Sequence, residues 1–83
     1  MQYLEEVKTI VAEVLALGDR IASFTEQSPL LGALPELDSA SVINLIVALE
    51  EHFGMVVHDD EIDAASFATL GTLATFVESK LAA

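Results

Sequence analysis

Apolar residues recur at the spacing of an amphipathic helix in three stretches of the chain, and the segments between them carry the residues that stop and start helices. The central stretch is the most explicit, and the rest of the chain reads as packing for it. Pro35 disfavours helix at the residue before it, Asp38 is a good N-cap residue and Gly54 supplies a stop, so the pattern predicts a helix over 39–53. Advancing about 100° per residue groups Val42, Leu45, Ile46, Leu49 and Phe53 on one stripe that must face a core. Two large apolar residues are left over. Ile43 and Val47 fall on the flank, one turn apart, framed by Glu50 and Glu51 with Asn44 close by. That pair fits a docking surface for a partner with basic and apolar groups, and it equally fits a contact with a neighbouring loop or helix.

The first stretch predicts a helix over 2–17, with Leu4, Val7, Val11, Val14 and Leu15 inward and Glu5, Glu6 and Glu13 mainly outside that stripe. Residues 18–37 then form a connection of about twenty residues, longer than compact domains normally use. It is apolar enough to be held down by Ile21, Phe24, Leu30, Leu31, Leu34 and Leu37, and Ser28-Pro29 is expected to begin a short helical turn with Pro29 at its first position. After Gly54, residues 55–58 read as an extended connection, because a lone short strand has no partner. Asp59, Asp60, Glu61 and Asp63 lack the spacing and glycine of a calcium loop and instead favour a helix start through its dipole. A short helix over 63–67 is expected to bury Ile62 and Phe67. Thr69 then caps a last helix over 70–81, with Leu70, Leu73, Ala74, Val77 and Leu81 on one stripe, Phe76 at its edge and Lys80 near its end. The sum is an all-α, four-helix bundle of three main helices plus one short helix, with a long loop between the first and second.

Composition narrows the function. At 83 residues the chain is expected to be a single domain, 1–83, and 53% hydrophobic residues exclude disorder. No apolar run approaches the ~20 residues of a membrane span, and the N-terminus lacks a basic region followed by an apolar run, so a cytoplasmic location is the default expectation. There is no cysteine, so any thiol the protein uses must come from a cofactor. Fourteen acidic residues against three basic ones, Lys8, Arg20 and Lys80, give a formal charge of −11. That argues against nucleic acid and anionic membranes, favours a soluble monomer, and favours partners with basic docking surfaces. Self-repulsion at this charge works against the compact state, so added salt or magnesium is expected to raise the melting temperature. A melting temperature unmoved across a magnesium titration would contradict this.

As an enzyme the chain is poorly equipped. His52 flanks the core stripe of the central helix, His58 lies in an acidic connection, and neither is placed near Ser39, so a Ser-His-Asp arrangement is disfavoured. No glycine-rich phosphate loop and no zinc-ligand spacing is present, and no metal site is expected. Ser39 is different. It follows the N-cap at a helix start, where backbone N–H groups favour an approaching phosphate.

Asp38-Ser39, an apolar residue six positions on at Leu45, and Leu49-Glu50-Glu51-His52-Phe53-Gly54 closing the helix together resemble the second helix of an acyl carrier protein, and the resemblance extends over nearly the whole chain. It implies a long first loop crossing the bundle. It also implies that Ser39 carries a 4'-phosphopantetheine arm, donated from coenzyme A by a phosphopantetheinyl transferase, with Asp38 helping to hold the magnesium that transfer depends on. Acyl groups would then travel as thioesters between acyl-transferring and chain-elongating enzymes of fatty-acid, polyketide or specialised lipid synthesis. The apolar interior suggests in addition that Leu45, Leu49, Ile62, Phe67 and Leu70 line a slot sheltering a lipid chain. The family commonly has glycine where Glu36 stands, leucine or methionine at Ala40, and acidic residues at Ser41 and Asn44, while Glu50 and Glu51 match its later acidic pair. These departures bear on which enzymes accept the carrier and point to a dedicated system. A peptidyl or D-alanyl carrier would use the same arm with other cargo. An unmodified interaction module would use Ile43 and Val47 alone, and a serine hydrolase would turn over an activated ester.

Overall fold

The first helix ends sooner than its apolar pattern, and the reason lies in its last turn. The computed structural model describes residues 3–82, and in it α1 spans Leu4–Val14. The expected start at Gln2 lies outside the described residues. At the other end the Ala16 N–H donates to the Glu13 carbonyl and the Leu17 N–H reaches back to the Ala12 carbonyl at 3.0 Å, with Ala16 at φ 54°. This is a Schellman-type ending with alanine in the left-handed position that glycine usually takes. It turns Leu15 and Leu17 into the core, and their burial offsets the strain. The inward face of α1 is Val7, Ile10 and Val11; Leu4 and Val14 are only half-buried, and Ile10, absent from the predicted stripe, takes a central place.

The other two long helices fall where the spacing puts them, α2 at Ser39–Phe53 and α3 at Leu70–Ala82. Leu45, Ile46 and Leu49 are the buried face of α2; Leu70, Leu73, Ala74 and Val77 are that of α3. The hub, however, is α1, which packs against both. Side chains from the long loop and from the α2–α3 connection complete the same core, among them Leu30, Leu34, Leu37, Met55 and Phe67. The fold is the all-α arrangement of three main helices with short helical pieces between them, and the described residues contain no strand.

The long loop is held by its backbone as well as by its leucines. After a 3-10 turn at Gly18–Ser23, the chain runs against the segment entering α3. Leu30 and Leu31 donate to the carbonyls of Ala68 and Phe67, while Leu70 and Gly71 donate to those of Ser28 and Glu26. The loop therefore supplies the acceptors that the first N–H groups of α3 need. Pro29, expected to begin a helical turn, is instead extended in an antiparallel bridge with Thr69. The turn comes one residue later, with the Leu34 N–H donating to the Leu30 carbonyl. Leu31, expected as an anchor, is exposed, because its neighbour Leu30 takes the inward direction.

Between α2 and α3 the short helical piece also forms earlier than predicted, as a 3-10 turn at Asp59–Glu61, while 63–67 makes only overlapping turns capped by Asp63 on the Ser66 N–H. The carbonyls of Phe67 and Ala68 serve the long loop, which leaves that stretch no room to continue as a helix. The Glu61 carboxylate accepts the His58 N–H and grips Lys80 of α3 with both oxygens, at 2.8 and 2.7 Å. Lys80 thus ties the connection down, which its position near a helix end did not suggest. The Lys80 ammonium, and after it the His58 N–H, hold the Glu61 carboxyl below the usual glutamate range. A depressed folded-state pKa stabilises above the unfolded value and ceases to do so as pH falls through the folded one. Glu61→Gln is expected to lower the melting temperature at pH 7, and its gap from the unsubstituted protein should close as pH drops below the ordinary glutamate range. A gap independent of pH would contradict this.

Candidate functional site

The start of α2 is assembled by residues on both sides of Asp38. Pro35 precedes Glu36, whose carboxylate pairs with Arg20 from the 3-10 turn of the long loop. Leu37 is buried and anchors the chain one residue before the cap. Asp38 itself is extended, at φ −107° and ψ −175°, and its Oδ1 accepts the Ser41 N–H at 2.9 Å. Hydrogen bonds from the Ser41 backbone and hydroxyl hold the Asp38 carboxyl below the usual aspartate range, so it stays ionised. Glu36 is likewise lowered, chiefly by its bond to Arg20.

Ser39 is the first residue of the helix and is exposed. The first turn contains no acidic residue, so within the helix nothing opposes an anion drawn to its positive end. An exposed hydroxyl at the N-terminus of a fifteen-residue helix, beside a fixed carboxylate able to share a divalent cation, suits a phosphoester-linked group. The residues present therefore fit a phosphopantetheine arm on their own chemistry.

The remaining candidates separate. Ile43 and Val47 lie on the outer side of α2, 55% and 44% exposed, and Glu51 is exposed beyond them. Glu50 is half-buried and accepts the Val57 N–H at 2.9 Å, so it closes the turn after the helix. Leu45, Leu49, Phe67 and Leu70 are at most 2% exposed, and Ile62 is half-buried against the same cluster. Neither histidine serves Ser39. His52 Nε2 lies 2.9 Å from Glu6 Oε2, and along α2 it is about 20 Å from the serine at 1.5 Å per residue. His58 caps the turn at Asp59–Glu61. Among the described residues no cluster of potential metal ligands occurs, and no helix is long and apolar enough to cross a membrane.

Gly71 was not singled out by its pattern, yet it positions the loop that leads to Ser39. A Cβ there would stand 2.5 Å from the Glu26 carbonyl oxygen. The signal available in the sequence was a glycine within a helix, which is unfavourable unless close approach requires it.

The start of α2 thus presents a serine open to solvent after a capping aspartate, with neither histidine beside it. In comparison with known proteins, the family described as phosphopantetheine attachment site matches residues 5–77. A solved holo acyl carrier protein from Nitrosomonas europaea is 55% identical over the whole of both chains, with a TM-score of 0.93. A second, from Geobacter metallireducens, is 28% identical over 99% of this chain and 88% of that one, with a TM-score of 0.78. The chain belongs to the acyl carrier protein family: it is a carrier and not an enzyme, and its prosthetic group is 4'-phosphopantetheine.

Proposed function

We propose that Ser39 is the residue to which a phosphopantetheinyl transferase joins the arm of coenzyme A, and that the protein then carries acyl intermediates for fatty-acid, polyketide or specialised lipid synthesis. The observation that carries this reading is the exposed Ser39 hydroxyl in the first turn of α2, next to an ionised Asp38. Ser39 supplies the oxygen of the phosphoester, the N-terminus of α2 stabilises the phosphate, and Asp38 shares the magnesium used in transfer. The arm contributes a thiol, which this cysteine-free chain lacks, to hold cargo as a thioester. Ile43, Val47 and Glu51 form the surface that partner enzymes meet, with Glu50 fixing the end of the helix behind them. Acyl-transferring and chain-elongating enzymes are the partners, and the carrier acts as a monomer. Tethering keeps cargo at high effective concentration in each active site, while weak docking permits release.

Incubation with coenzyme A and a broad-specificity phosphopantetheinyl transferase should raise the intact mass by one arm, and fragmentation should place it on Ser39. A protein that keeps its original mass, or carries the arm on another residue, overturns the assignment.

The cargo chain is sheltered between Leu45, Leu49, Ile62, Phe67 and Leu70. What supports this is that α2 and α3 both pack on α1 and that these residues share one apolar cluster. The chain enters by parting them, at the half-buried Ile62. Each methylene sheltered contributes about 0.8 kcal/mol. A series of acyl forms from four to twelve carbons should shift the amide resonances of these five residues progressively; resonances that do not respond to chain length would sink the proposal.

A further inference from the structure

The charge of this protein is unevenly laid out along its central helix. From Ser39 to Leu49, eleven residues, α2 carries no charged side chain, although the chain as a whole has fourteen acids and a net charge of −11. Its exposed positions over that length are Ser39, Ala40, Ile43, Asn44 and Val47. Ala40, Ile43, Asn44 and Val47 follow one another at three- and four-residue steps, so they form a single outward stripe. The helix is thus apolar on the side facing the core and largely apolar on the side facing solvent.

The acids that border the stripe are mostly engaged already. Glu36 is paired with Arg20, Asp38 caps the helix, and Glu50 accepts the Val57 N–H. Only Glu51, at the far end, presents an exposed carboxylate in line with the stripe. The Asn44 side chain has no hydrogen-bond partner among the described residues, which leaves its amide free to donate and accept across an interface.

Resting on the attachment of the arm at Ser39, we propose that the enzymes reading this carrier receive the stripe in an uncharged apolar groove. A polar group in that groove meets the Asn44 amide, and the one cationic contact is kept for Glu51. This is helix-in-groove recognition with anchors a turn apart. The charge layout selects that occupant, because a cluster of arginines laid along the stripe over the first three turns would find no carboxylate on it to pair with and would be desolvated at a loss. A second copy of this chain is the poorer occupant. Two surfaces of net charge −11 repel, and two half-exposed side chains with an alanine fall far short of the roughly 1,200 Å² that a stable interface buries.

The probe is arm transfer by a broad-specificity phosphopantetheinyl transferase, an enzyme that must approach Ser39, with KM and kcat measured for the apo-protein between 50 and 500 mM sodium chloride. KM for the unsubstituted protein is expected to change less than about twofold, since apolar contact is not screened by salt. Ile43→Ser and Val47→Ser should each raise KM about tenfold, with kcat and the melting temperature nearly unchanged because both sites are exposed. Val56→Ser, at the most exposed large apolar residue but off the helix, should leave KM as it was. The sign at Asn44 decides: Asn44→Glu should raise KM by burying a carboxylate without a partner. If Asn44→Glu lowers KM, or KM climbs steeply with salt, docking is electrostatic and the proposal fails. If the stripe variants match the unsubstituted protein, or if the protein self-associates through them in sedimentation, it fails as well. An unsubstituted protein that accepts no arm would instead remove the attachment reading on which this one rests.

Discussion

Ser39→Ala is expected to give a protein that melts like the unsubstituted one and gains no mass at all when offered coenzyme A and a competent transferase. Both halves follow from position. The hydroxyl is exposed, and among the described residues it makes no hydrogen bond to the bundle, so its removal leaves packing untouched. The helix start depends on Asp38, whose Oδ1 holds the Ser41 N–H, and not on the residue after it. Asp38→Ala separates the two roles from the other direction. It should lower the melting temperature by uncapping α2 and should slow transfer without abolishing it, since the oxygen that forms the phosphoester is still present. Ser41 is the nearest other hydroxyl, but it is half-buried and turned toward Asp38. Arm attachment to Ser39→Ala through Ser41 would contradict the reading of this helix start.

The second large effect is expected at Gly71, where the sign of the change is itself the test. Intrinsic helix preference alone makes Gly71→Ala stabilising by about 1 kcal/mol. The structure opposes it, because a Cβ would sit 2.5 Å from the Glu26 carbonyl oxygen and 3.1 Å from the Glu26 Cβ. The carbonyl is backbone, and it accepts the Gly71 N–H at 2.7 Å, so it cannot swing aside without loosening the long loop from α3. Overpacking of this kind costs about 1–3 kcal/mol. The melting temperature should fall by several degrees for Gly71→Ala and by about 10 °C or more for Gly71→Val, given about 4–8 °C per kcal/mol in a domain of this size. A rise on Gly71→Ala in thermal denaturation would show that the close approach does not hold in solution.

The start of α2 was legible residue by residue. Asp38 accepts a hydrogen bond from the N–H three residues ahead, Gly54 adopts φ 65°, and the apolar stripe repeats every three or four positions, so each signal and its consequence lie within one turn. The same holds for Thr69, whose hydroxyl accepts the Thr72 N–H while the Thr72 hydroxyl accepts its own. Where the structure departs from the local pattern, two outcomes are locally equivalent. Gly18 offered a helix stop, but Ala16 took the left-handed position because that direction buries Leu15 and Leu17. Ser28-Pro29 has the form of a helix start, but the carbonyls of Ser28 and Glu26 were needed by the first N–H groups of α3. Spacing alone places Glu50 beside Ile43 and Val47, and Lys80 near the end of the last helix. Each is bound to a segment whose path no local rule supplies.

Taken alone, the order of side chains determined what turns by itself and what must leave water: the limits and buried faces of α2 and α3, the excess of negative charge, the lack of a thiol, and one hydroxyl at a helix mouth. Tertiary structure decided which backbone groups satisfy one another across the chain: the loop strapped to α3 through Gly71, α1 as the hub, Glu61 in the grip of Lys80, and Glu50 withdrawn from the outer face. The division has a physical cause. Helix signals and hydrophobic spacing act over a few bonds, whereas the partner of a buried donor or carboxylate is chosen by whichever distant segment the packed core brings against it.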